Sequence, residues 1–142
     1  MRAMMLLLTL FLLSCSADNR EWYLGVWKVS DAKFPGISAM GMEEAKVWFG
    51  SEASYTKAKV AFRGETCESP EFTLTSLTED EFFSSYRARF NALGIEGESV
   101  EILHVGCPSD WIAPGATLIK VNSNLGYTLW DGVFFKVDKI SS

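Results

Sequence analysis

Asp131-Gly132 stands between two runs of strand-forming residues, Gly126-Tyr127-Thr128-Leu129-Trp130 and Val133-Phe134-Phe135-Lys136-Val137. A two-residue Asp-Gly link readily adopts the positive φ angles of a type I′ turn, whose twist matches that of paired strands. The two runs are therefore expected to form a hairpin. Upstream, Trp22-Tyr23-Leu24-Gly25-Val26-Trp27-Lys28-Val29 reads as a first strand, and Val100–Val105 and Thr117–Val121 as later ones. Elsewhere the period is two. Ala58, Val60 and Phe62 share one face and Lys57, Lys59 and Arg63 the other, while Phe72 and Leu74 alternate with Glu71, Thr73 and Thr75.

Two segments break this rhythm with helical signals. Met42–Phe49 carries its acids in the first turn, where the helix dipole favours them, and is closed by Gly50. Thr78-Glu79-Asp80-Glu81 is a capping box, followed by Phe82, Tyr86, Phe90 and Leu93 at helical spacing and by Gly94. Seven to eight short strands with one or two short helices predict a mainly β fold, either a small antiparallel barrel or a strongly bent sheet. At 142 residues and 48% apolar, the chain is sized for one domain with a real core. Its formal charge of -5, with no Lys/Arg cluster, argues against nucleic acid and against anionic membrane surfaces as partners.

The N-terminus carries an address. Arg2 precedes the apolar run Met4–Leu13, whose ten residues rise only about 15 Å as a helix, half the ~30 Å hydrocarbon core. The run reads as the core of a secretory signal. It continues into Leu12-Leu13-Ser14-Cys15, which resembles the lipobox of bacterial lipoproteins, although Leu13 is bulkier than the usual residue there. The resemblance implies that residues 1–14 are removed and that Cys15 is acylated. With Ser16 rather than Asp next, it implies an outer-membrane anchor facing the periplasm in Gram-negative bacteria. An ordinary cleaved signal is the alternative. Two or more acyl chains would make such an anchor stable where a single chain would not. One domain then spans residues 15–142.

In that oxidising compartment Cys67 and Cys107 are expected to pair, closing a loop worth roughly 4 kcal/mol on the chain-entropy model. A metal pair lacks further Cys or His ligands.

Leu24-Gly25-Val26-Trp27-Lys28-Val29 resembles the Gly-x-Trp signature that opens lipocalins. The resemblance implies an eight-stranded barrel in which Trp27, beside Gly25, plugs the closed end beneath a cavity for small apolar ligands. Three departures stand out. The arginine that packs over that tryptophan in the family is missing, with Lys136 and Lys139 in its region. The mature chain is shorter than most members, and a helix interrupts the strands at Thr78.

Residues suited to catalysis are scarce. His104, the single histidine, shares a strand face with Val100 and Ile102, and neither a nucleophile nor an orienting carboxylate can be placed beside it. A half-buried strand histidine is the plain alternative. Glu43/Glu44 and Glu79/Asp80/Glu81 are paired carboxylates of the kind glycosidases use, but they occupy helix starts, where acids belong anyway. Gly64 and Gly94–Gly97 belong to turns, and no glycine pattern suits a phosphate-binding loop.

No enzyme and no cofactor is therefore expected. The candidate contacts for a ligand or partner are Trp111, in a loop stiffened by Pro108 and Pro114, together with Trp130, Tyr127 and His104. For Trp111 the alternative is folding back onto the barrel rim. The expected function is that of a lipid-anchored envelope protein binding a small apolar ligand or a periplasmic protein. The competing expectation is an inhibitor or immunity protein acting on a wall hydrolase or toxin, since an acidic domain would be drawn to a basic, lysozyme-like target.

Overall fold

Among the described residues, nine strands, β1 to β9, form one antiparallel sheet in the order β4-β3-β2-β1-β9-β8-β7-β6-β5. They span Gly25–Lys33, Glu52–Tyr55, Lys59–Phe62, Glu65–Glu68, Glu71–Thr78, Ser99–Gly106, Thr117–Asn122, Leu125–Trp130 and Val133–Ser141. The described residues also form three short α-helices between strands, α1 (Met42–Lys46), α2 (Glu79–Tyr86) and α3 (Phe90–Leu93). The computed structural model describes residues 19–109 and 113–142. The signal segment, Cys15 and Trp111 lie outside them.

The fold is the expected mainly β one, in its strongly curled form. Its two edge strands, β4 and β5, are consecutive in the chain and separated only by Ser69 and Pro70. With every neighbouring pair antiparallel across nine strands, β4 and β5 must run in the same direction. They act as one kinked stave, paired with β3 over its first half and with β6 over its second. Ser69 makes the kink with a φ of 54°, and its amide donates to the Ala58 carbonyl at 2.9 Å.

The Cys67–Cys107 disulfide crosses the same seam, with Cα atoms 5.8 Å apart. It joins β4 to the residue just beyond β6. Curling is thus held by a covalent staple where the hydrogen-bond ladder is open.

Two cores result from the curl. Trp27, Val29, Tyr55, Val60, Phe62, Leu103, Leu118, Phe135 and Val137 fill the concave face. On the convex face, α2, α3 and the link between them lay Phe82, Ala88, Phe90 and Leu93 over Val100, Ile102, Ile119, Tyr127 and Phe134. Alternation along β6 to β9 supplies both cores at once, so these strands are apolar on both faces.

Four local readings change. The first strand begins at Gly25, because Asn19–Glu21 form a 3-10 turn and Trp22–Leu24 cross the end of the barrel before pairing starts. Helix α1 closes at Lys46, and looser turns carry the chain on to Gly50. The helix expected from Thr78 to Leu93 is broken in two by Arg87, which sits in the left-handed region at φ 58°. Phe82, Tyr86, Phe90 and Leu93 still meet one core, as their spacing requires. Strands β2 and β4 lack a clear sequence signal. They are four residues long and dominated by Glu, Ser and Thr, and their pairing is imposed by the neighbouring strands.

The capping box is formed as read: the Thr78 amide donates to Glu81 Oε2 at 2.8 Å and the Glu81 amide to Thr78 Oγ1 at 3.4 Å. The hairpin is also formed, with Asp131 at φ 50° and Gly132 at φ 80°.

Candidate functional site

One end of the barrel is closed by Trp22, Tyr23 and Trp27. The Trp27 indole donates to the Tyr23 carbonyl at 2.8 Å, and its ring meets that of Trp22 edge-on at 6.1 Å. Trp22 donates in turn to the Glu101 carboxylate and has the Lys120 ammonium 5.4 Å from its ring centre. Gly25 enables the approach: it holds φ 130°, and a Cβ there would stand 2.3 Å from the Ser141 carbonyl oxygen. Lys139 lies over Trp27.

Inside the barrel, a hydrogen-bond chain crosses between strands far apart in the sheet. The Tyr55 hydroxyl donates to the Gly115 carbonyl at 2.7 Å, the Gly115 amide to Thr128 Oγ1 at 2.8 Å, and Thr128 Oγ1 to the Thr117 carbonyl at 2.9 Å. Thr128 is a buried polar side chain among apolar neighbours, and these bonds satisfy it. Burial pushes the Tyr55 hydroxyl well above the usual tyrosine pKa. Nearer the other end, Trp48 stacks on Phe135 with centroids 4.5 Å apart, and Arg63 lies 4.5 Å over the Trp48 ring.

A groove of about 900 Å³ opens on the outside, where three segments converge. Gly36 and Ile37 come from the β1–β2 connection, Tyr86 and Arg87 from the end of α2, and Leu129, Trp130 and Phe134 from the last hairpin. The connection is pinned to the hairpin: the Ala39 amide donates to the Asp131 carbonyl at 2.8 Å, and a Cβ on Gly132 would meet the Ile37 carbonyl oxygen at 2.5 Å. Ile37 is held out at 99% exposure beside this opening.

The three expected contact residues that are described, Trp130, Tyr127 and His104, lie in different surroundings. Trp130 is half-buried, packs against the concave core and lines the groove. Tyr127 is buried in the convex core against Phe134, with ring centroids 6.4 Å apart. His104 lies half-buried on the convex face, its Nε2 3.1 Å from Thr75 Oγ1. Of the groove residues, Ile37 and Arg87 carried no signal in the sequence, and Tyr86 was legible only as part of the apolar stripe of α2.

The paired carboxylates have structural partners. Glu43 pairs with Lys46 at 2.8 Å, Asp80 with Arg89 at 2.9 Å, and Glu79 accepts from the Phe90 amide at 3.2 Å. Among the described residues, no group of three or more His, Cys, Asp or Glu side chains is arranged to hold a metal ion. No family model, curated protein or solved structure matches the chain.

Proposed function

We propose that this chain is a non-enzymatic, lipid-anchored binding protein of the bacterial envelope. It is held in the outer membrane through acyl chains on Cys15, faces the periplasm, and receives a small apolar ligand. The observation that carries the ligand reading is the external groove. Its volume of about 900 Å³ falls within the roughly 300–1,000 Å³ of small-molecule sites, and Tyr86, Leu129, Trp130 and Phe134 give it an apolar lining. The concave face, where the lipocalin resemblance would put the ligand, holds the packed side chains of Trp27, Tyr55, Phe62 and Phe135. The binding surface is accordingly assigned to the groove between α2 and the β8–β9 hairpin.

Native mass spectrometry of the chain from Ser16 onward, purified gently from its host, tests this. The expected result is a reproducible adduct of small-molecule mass that disappears in Ile37→Asp, a change at an exposed position. A bare mass, or an adduct that survives Ile37→Asp, overturns the groove assignment.

A further inference from the structure

The barrel has a second apolar opening at the pole from which the N-terminal segment departs. A cleft of about 360 Å³ is lined there by Leu24, Val26, Thr56, Lys57 and Ser141. Ile140, on the strand next to Val26, is 51% exposed. Lys57 stands at the edge of this pole, 3.3 Å from Glu21, with both side chains largely in solvent. The Lys57 ammonium is thus balanced by Glu21, and what the pole offers a lipid surface is its exposed apolar side chains.

Chain length decides what that surface is. Cys15 precedes Asn19 by four residues, which extend at most about 14 Å. If Cys15 is acylated, as proposed above, this pole is tethered within about 14 Å of the acylated cysteine. The groove lies beyond the far end of β1, whose eight residue steps span about 26 Å.

We infer that the pole formed by Leu24, Val26, Lys57 and Ile140 lies against the lipid surface. The groove at Ile37 and Trp130 then opens away from the membrane and draws its ligand from the aqueous compartment. This orientation rests on the anchor reading.

Its test uses the full chain, acylated in its host and reconstituted into vesicles of phosphatidylethanolamine and phosphatidylglycerol. With Cys67 and Cys107 oxidised and Cys15 acylated, Ile140→Cys or Ile37→Cys provides a single reactive thiol for an environment-sensitive fluorophore. The label at position 140 is expected to shift to the blue and to be quenched several-fold by headgroup spin-labelled lipid, while the label at position 37 is unaffected. Equal quenching at both positions, or quenching at 37 alone, overturns the orientation. A label at 140 that is shielded but not quenched assigns the cleft to a second copy of the chain and overturns it as well. Intact mass separates the two readings. An unmodified Cys15 overturns the anchor itself, whereas an acylated Cys15 with an unquenched label at 140 overturns the orientation alone.

Discussion

The ammonium of Lys139 lies 5.2 Å from the centre of the Trp27 ring and donates to the Trp22 carbonyl at 2.6 Å. One side chain at the end of the last strand therefore fastens the first strand and the segment that closes the barrel. Its surroundings lower the lysine pKa through burial, so the contact opposes a desolvation cost.

Lys139→Met keeps most of the stem and removes the charge. It is expected to lower stability by about 2 kcal/mol, combining a cation–π contact with a charge-assisted hydrogen bond. Lys139→Arg is expected to retain most of that stability, since a guanidinium also stacks on indole. Urea midpoints at pH 7 measure both, and a Lys139→Met midpoint equal to the parent's would remove the residue from the closure.

Gly25→Ala should act on the same end by a different route. The new Cβ would collide with the Ser141 carbonyl, and φ 130° is strained for alanine. The expected loss is about 2–4 kcal/mol. Hydrogen exchange should accelerate first at Lys139–Ser141, and exchange rates there that match the parent's would contradict the argument.

Tyr55→Phe removes the hydroxyl that binds the Gly115 carbonyl and leaves that buried acceptor unpaired. A loss of about 1–3 kcal/mol is expected at pH 7. The pH dependence follows from the raised pKa. The unfolded tyrosine ionises near 10, whereas burial holds the folded one neutral to higher pH. The folded state thus keeps its proton longer, and stability falls as pH rises above about 10. Tyr55→Phe should show a shallower alkaline decline in a urea series from pH 8 to 11. Parallel declines would mean that Tyr55 is not the group responsible.

Reduction of Cys67–Cys107 should cost about 2–5 kcal/mol. The effect should concentrate at the seam, where β4 and β5 lack a mutual ladder and the disulfide joins β4 to the end of β6. The double variant Cys67→Ser, Cys107→Ser should melt lower and exchange faster at Thr66–Glu68. Two titratable thiols in the native, unreduced chain would remove the staple from the account.

Local chemistry was enough to read several elements in advance. Asp131-Gly132 can satisfy its turn with a minimum of backbone strain, Thr78 and Glu81 cap each other within one helical turn, and Phe82, Tyr86, Phe90 and Leu93 declare a buried stripe by spacing alone. Each depends on residues a few positions apart, so the sequence carries the information. The pairing of Cys67 with Cys107 came from compartment and counting.

What tertiary structure decided were the relationships between distant residues. Strands β2 and β4 exist because β1 and β3 offer them partners, not because Glu52–Tyr55 or Glu65–Glu68 favour extension. Arg87 breaks its helix at a position where nothing local demands a stop. The curl brings Tyr55 to Gly115 and Lys139 to Trp27, and it sends Tyr127 and His104 to the outer face while Trp130 reaches the groove. Period-two alternation assigns residues to faces, but only the closing of the sheet makes one face an interior, and that closure depends on contacts between residues tens of positions apart.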